Sequence, residues 1–245
     1  MNSNPAKKLV VVTGGSRGLG LAICRQLLLH GYAVVAVSRT YSEAFSALQN
    51  SNEDLHFIEA DLSRLDDIQG ICSTIVKQYG RPYALINNAA VGYDGVLATM
   101  HNSEIDTLMK LNIQAPILLS KYLIRPMLLN RGGRIINISS IIARTGFNGL
   151  SVYAASKAAL EGFTKSLARE VGKAGITVNC VAPGYMQTEM TNSLKDEKLE
   201  SIKRRSPLGR LASPEDAAGA LIYLLSEHAT AVTGTVLTVD AGSTA

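Results

Sequence analysis

Short apolar runs rich in valine and isoleucine alternate along the chain with longer segments of helical periodicity. Residues 8–13 (KLVVVT), 33–38 (AVVAVS), 55–60 (LHFIEA), 83–87 (YALIN), 134–139 (RIINIS), 176–182 (ITVNCVA) and 236–239 (VLTV) read as strands. Between them, residues 19–30, 42–50, 65–79, 103–130, a segment around Tyr153 reaching 172, and 194–205 read as helices, with a further helix opened by Ser213-Pro214-Glu215. Gly31 closes the first helix, and the third is entered from Ser63. Most of these strands lack a polar face, so they need helices on both sides. The pattern predicts an α/β fold: a single domain, residues 1–245, with a doubly wound parallel sheet of about seven strands. No linker, repeat or low-complexity tract interrupts it.

Composition narrows the class. The chain has 245 residues, 47% hydrophobic and 18% charged, as expected of a globular core rather than a disordered chain. Its formal net charge of +4 comes without a Lys/Arg run interleaved with aromatics, so no nucleic-acid partner is expected. Cys24, Cys72 and Cys180 are scattered and odd in number, which suits reduced core thiols and neither a disulfide frame nor a zinc site. The four histidines show no ligand spacing, and no metal is expected. The longest greasy stretch, 116–129, is broken by Lys121, Arg125 and two prolines, and no targeting segment is evident. A soluble protein of the cytoplasm, or of an organelle matrix, is expected, with no membrane partner.

Candidate chemistry begins after the first strand. Gly14, Gly18 and Gly20 form G-x-x-x-G-x-G at the start of the first helix. Such glycines permit a tight turn and close backbone approach to a pyrophosphate, with the helix N-terminus as anion site, the signature of a Rossmann dinucleotide fold. No Lys-Ser/Thr follows the last glycine, so the loop is not a phosphoryl-transfer loop. Where an NAD enzyme usually carries an acid for the ribose 2′-hydroxyl, this chain has Ser38-Arg39-Thr40, and Arg17 lies within the glycine loop. Two guanidinium groups suit a 2′-phosphate, so NADPH is the expected cofactor.

Residues 139–157 (SSIIARTGFNGLSVYAASK) end in Tyr153-x-x-x-Lys157 among helix formers. Residues four apart lie on one helical face, roughly 6 Å from each other. A phenol beside an ammonium is expected to titrate below its usual value of about 10 and so to move a proton near neutral pH. Ser139 and Ser140 end the preceding strand, where a hydroxyl can reach a substrate oxygen.

With these motifs in order, the chain resembles the short-chain dehydrogenase/reductase family nearly end to end. The likeness rests on Thr13-Gly14-Gly15-Ser16-Arg17-Gly18-Leu19-Gly20, Ala60-Asp61-Leu62, Asn87-Asn88-Ala89-Ala90, Asn112, Ser140, Tyr153-x-x-x-Lys157 and Pro183-Gly184-Tyr185-Met186-Gln187-Thr188. The segments VAPGYMQTEMT, SPLGRLASPEDAA and VTGTVLTVDAG look most like members that reduce 3-oxoacyl groups on acyl carrier protein. The resemblance implies that Tyr153 is the general acid, that Lys157 lowers its pKa and holds the nicotinamide ribose, and that Ser140 bonds the substrate oxygen. Asn112 would anchor a water in a proton relay to Lys157. Pro116, four residues on, cannot donate to the Asn112 carbonyl, which leaves that carbonyl open to the relay water. For the cofactor, the resemblance implies the glycine loop, Arg39, Asp61 and Leu62 at the adenine, Asn88 and Ala89 near the adjacent ribose, and Pro183, Gly184, Met186 and Thr188 at the nicotinamide end. It also implies a homotetramer and a lid near 190–207. Small residues Ala154, Ala158, Gly162 and Ser166 on the Tyr153 helix suit close packing of subunits.

Three departures bear on the substrate. Ala90 replaces the usual glycine, the VDAGSTA ending lacks a second glycine, and of the basic pair that meets an acyl carrier, Arg131 matches while the other falls at Ala174, beside Lys173. The leading reading is an NADPH-dependent 3-oxoacyl-thioester reductase of fatty-acid synthesis. A related short-chain reductase or alcohol dehydrogenase for another carbonyl, sugar or polyketide is the alternative, and a catalytically silent NADPH-binding sensor or scaffold is the third. The arginine pair generates a test: kcat/KM is expected to favour NADPH over NADH, and Arg39→Ala to lose that preference.

Overall fold

The computed structural model describes residues 7–186 and 196–245, with backbone alone for 196–199. Its strands are β1 (Leu9–Thr13), β2 (Ala33–Ser38), β3 (Leu55–Glu59), β4 (Ala84–Asn87), β5 (Gly133–Ile138), β6 (Ile176–Pro183) and β7 (Val236–Val239). Among the described residues they form one parallel sheet in the order β3-β2-β1-β4-β5-β6-β7. Val10 of β1 lies beside Val34 of β2 on one side and Ala84 of β4 on the other. Winding therefore reverses between β1 and β4, and a crevice opens beyond their carboxyl ends.

Alternate strand residues feed two cores. Val11, Val35, Leu85 and Ile135 pack with helices α3 (Ile68–Tyr79), α5 (Ala115–Leu129) and α7 (Ser151–Val171) on one face. Val10, Val12, Val34 and Ile86 pack with α1 (Gly18–Leu29), α2 (Glu43–Asn50) and α9 (Pro214–Leu225) on the other. Ser213 and Asp216 form a capping box that starts α9, with Pro214 in the first turn. Cys24, Cys72 and Cys180 are buried free thiols, and burial pushes each one up. Among the described residues no helix is long and apolar enough to cross a membrane.

The expected helix over 103–130 is instead three pieces: α4 (Asn102–Met109), a π-helical turn Lys110–Gln114, and α5. Ala115 N–H donates to the Lys110 carbonyl, one residue further back than in an α-helix, and Pro116 has no N–H to restore the register. Helical periodicity survives such a turn, so the pattern alone does not reveal it. A short helix, α6 (Ile142–Thr145), stands where no element is expected, and the expected helix over 194–205 is described as α8 (Asp196–Arg205). The expected lid lies outside the described residues over 190–195.

Gly14 and Gly18 take left-handed φ values of 65° and 51° in the turn from β1 to α1. A Cβ on Gly20 would stand 1.9 Å from the Gly14 carbonyl oxygen. Gly20→Ala is thus expected to destabilise the fold by about 1–3 kcal/mol, as overpacking against backbone does, and urea denaturation would measure it.

Candidate active site

Two loops meet in the crevice. The Thr13 hydroxyl accepts from the backbone N–H groups of Asn88 and Ala89, each at 2.9 Å. In return the Asn88 amide donates to the Thr13 and Gly14 carbonyls at 2.9 and 3.2 Å. The glycine turn and the loop after β4 so become one wall of a cavity of about 820 Å³.

One end of this cavity is lined by Gly14, Ser16, Arg17, Gly18, Leu19 and Gly20, with Arg39, Asp61 and Leu62 across from them. Burial raises the Asp61 carboxyl, but two bonds from Ser63 and the nearby Arg39 and Arg64 hold it below its ordinary value overall. Ser38 Oγ, at the end of β2, is buried without a hydrogen-bond partner and lines the same end. A bare glycine cradle, two arginines and an orphaned hydroxyl fit the phosphate-bearing half of a dinucleotide. Gly15 is not among the residues lining the cavity, and a Cβ there would stand 2.8 Å from Ala36 Cβ and 3.0 Å from Cys24 Sγ. It is a packing glycine between helix and strand.

At the other end, the carboxyl edge of β5 delivers Ser139 and Ser140, and α7 delivers Tyr153 and Lys157. Ser140 hydrogen-bonds the Tyr153 hydroxyl. Lys157, only 2% exposed, donates from Nζ to the Ile138 carbonyl at 2.8 Å, and Nζ lies 5.6 Å from the centre of the Tyr153 ring. Burial pushes the phenol up to about 12 against the Ser140 bond, and burial pulls the ammonium down to about 8. This corrects the expectation that Lys157 depresses Tyr153. Loss of water outweighs the neighbouring charge, because Lys157 is turned to a backbone carbonyl.

Asn112 does not line the cavity. Wholly buried in the π-turn, it exchanges bonds with the Val91 backbone at 2.9 Å each way and donates to Ser156 Oγ at 3.1 Å. Ser156 Oγ then donates to the Tyr153 carbonyl at 2.7 Å. The Asn112 side chain thus ties the loop after β4 to the Tyr153 turn.

Pro183, Gly184 and Met186 line the cavity beside Tyr153. Gly184 donates to the Val239 carbonyl at 2.9 Å, and a Cβ on it would meet Asp240 Cβ at 2.7 Å. Thr188 lies outside the described residues. Sequence reasoning missed Tyr93, Asp94, Phe147 and Asn148 on the cavity wall and gave Tyr185 no role of its own. It also missed an ion pair behind the site: Arg144 Nε donates to Glu161 Oε2 at 3.0 Å, and Ser139 Oγ lies 3.1 Å from both Glu161 Oε1 and the Lys157 carbonyl. Arg and Glu seventeen residues apart carry no local signal.

The fold and this Ser-Tyr-Lys crevice define a dinucleotide-dependent oxidoreductase class. The family model described as "Enoyl-(Acyl carrier protein) reductase" matches residues 14–244, and the chain belongs to this short-chain dehydrogenase/reductase family. It is 40% identical over 233 residues to the 3-oxoacyl-[acyl-carrier-protein] reductase FabG of Rickettsia bellii, covering 95% of each chain. It is 37% identical over 237 residues to the enzyme of the same name from Escherichia coli, covering 96% of each. Among solved structures, a putative NAD(P)-dependent gluconate 5-dehydrogenase from Beutenbergia cavernae with bound NADP superposes with TM-score 0.91 at 32% identity, covering 98% of both chains.

The buried ammonium yields a stability test. Its folded value of about 8 lies below the ordinary 10.5, so charge on Lys157 penalises the fold below pH 8. That penalty fades as pH climbs from 8 to 10.5. Lys157→Met should therefore be more stable than wild type at pH 7, by on the order of 1–2 kcal/mol in urea unfolding, with the gap closing over that window.

Proposed function

We propose that this protein reduces 3-oxoacyl thioesters, in the manner of a 3-oxoacyl-[acyl-carrier-protein] reductase, using NADPH. The observation that carries the reading is the convergence of the Ser140 hydroxyl on the Tyr153 phenol beside the buried Lys157. NADPH, when bound, supplies the hydride. The protein's own groups manage the oxygen on which negative charge then develops. Ser140 bonds that oxygen and orients it, and Tyr153 donates its proton to it. A phenol held up near 12 keeps its proton through the physiological range, which suits reduction. Lys157, close to 8, is poised to restore that proton. Its supply runs to Asn112, whose side chain is committed to Val91 and Ser156 while Pro116 cannot donate to its main-chain carbonyl. That carbonyl is the proposed seat of a relay water.

Arg17, Arg39 and Ser38 would hold the adenosine end of the cofactor, including its 2′-phosphate, with Asp61, Leu62, Asn88 and Ala89 completing that half. Pro183, Gly184, Met186 and Thr188 would hold the nicotinamide end. The names of the relatives given above support acyl carrier protein as the substrate's bearer; Arg131 and Lys173 are proposed as its basic contacts, and the cytoplasm as the setting. Exposed Ala158, Gly162 and Ser166 on α7, with exposed Ile117 and Leu128 on α5, support self-association into a tetramer. Residues 190–207 are proposed as the substrate lid.

Following NADPH absorbance with acetoacetyl-CoA, an acyl-carrier substrate and a panel of other ketones and sugars tests the reading; turnover confined to the panel would sink it. Tyr153→Phe is expected to lower kcat by at least about 10²-fold while leaving the NADPH dissociation constant within about twofold, the split that loss of a general acid produces.

A further inference from the structure

Tyr185 follows the end of β6 by two residues and lines the catalytic end of the cavity. Its ring meets Phe147 edge-on, with centroids 5.8 Å apart and planes at 61°, which fixes where the hydroxyl sits. That hydroxyl oxygen is buried and has no hydrogen-bond partner. Five side chains among the described residues carry such an orphan, and only Ser38 and Tyr185 of them line the cavity, at opposite ends. A buried hydroxyl left unpaired is destabilising, and its persistence in a ligand cavity marks a bond completed by the ligand. Asp94 and Tyr153 line the same cavity, which places Tyr185 in the chamber of the proton donor. Gly95 N–H donates to the Gly149 carbonyl at 3.0 Å, so the loops bearing Asp94 and Phe147 close this chamber together. Burial and the Asp94 carboxylate keep the phenol protonated, with its value raised to about 12. It is therefore a donor, and the neighbouring carboxylate disfavours an anionic acceptor. The partner that fits is a neutral carbonyl oxygen.

Building on the 3-oxoacyl reading above, we propose that the Tyr185 hydroxyl donates a hydrogen bond to the thioester carbonyl oxygen of the substrate, while Ser140 and Tyr153 hold the 3-oxo oxygen. Two oxygens separated by one methylene are then read at once. Tyr185 becomes the residue that distinguishes a 3-oxoacyl thioester from a simple ketone, and Asp94 turns away substrates bearing a carboxylate at that position.

A matched pair of substrates tests this. Acetoacetyl-CoA carries the thioester oxygen, whereas S-(3-oxobutyl)-CoA, the adduct of coenzyme A with methyl vinyl ketone, has a methylene in its place. With Tyr185→Phe, which keeps the ring and its contact with Phe147, kcat/KM on acetoacetyl-CoA should fall roughly 10- to 100-fold, while that on S-(3-oxobutyl)-CoA changes by no more than about twofold. Calorimetric titration of acetoacetyl-CoA into the NADP-saturated enzyme should show a weakening of the same sense for Tyr185→Phe, with NADPH affinity unchanged. An equal loss on both substrates would assign Tyr185 a purely structural role and overturn the proposal, as would no loss on either. If wild-type enzyme turns over neither compound but reduces other carbonyls, the parent reading fails and this inference goes with it. Turnover of acetoacetyl-CoA by wild type with an undiminished variant overturns this inference alone.

Discussion

A parallel sheet that reverses its winding leaves two strand ends side by side with nothing between them, and in this protein hydrogen bonds across that gap hold the site together. Thr13 and Asn88 each use side chain and backbone to reach the other's loop. The groups they join lie at or just past the ends of β1 and β4, where backbone donors and acceptors would otherwise be left unpaired. The glycine turn can approach this closely because Gly20 has no Cβ to meet the Gly14 carbonyl. Both ends of the cavity inherit their spacing from that contact. The cofactor cradle lies on one side of it, and the loop leading to Asp94 on the other.

Burial governs the electrostatics at the catalytic end. Lys157 and Tyr153 are both driven toward their neutral forms, since water has been removed from around each. Glu161 stands one turn beyond Lys157 on α7, a spacing at which an intrahelical ion pair is normally favoured. Arg144 and Ser139 occupy its two carboxylate oxygens instead. Lys157 is thereby left directed at the Ile138 carbonyl and the cavity. The same arrangement pins α6, and with it the segment after Ser140, against the helix that carries Tyr153. The Arg144–Glu161 salt bridge thus ties the segment that follows Ser140 to the helix that carries Tyr153.

The two orphaned hydroxyls give the cavity its polarity. Ser38 sits at the end of β2 beside Arg39, and Tyr185 sits beyond β6 against Phe147. Away from the cavity, the Asn87 amide donates to Asn137 Oδ1 and the Asn137 amide to Thr164 Oγ1, a chain of bonds from β4 through β5 to α7. Groups left unsatisfied at opposite ends of one cavity mark where a ligand completes the structure.

Much of this was legible in the sequence, because the information was local. Alternating apolar strands and helices imply a covered parallel sheet, since a strand with no polar face has to be buried on both sides. The glycine turn and the Tyr153–Lys157 pair are each written within a few residues, at spacings that backbone geometry turns directly into proximity. Tertiary structure decided what depended on distant partners or on depth. The π-turn at Asn112 follows from the register adopted around Pro116, the Arg144–Glu161 pair joins two helices, and Phe147 meets Tyr185 across the cavity mouth. The direction of the Tyr153 shift belongs to the same group, because a sequence records which charges are neighbours but not how much water the fold leaves around them.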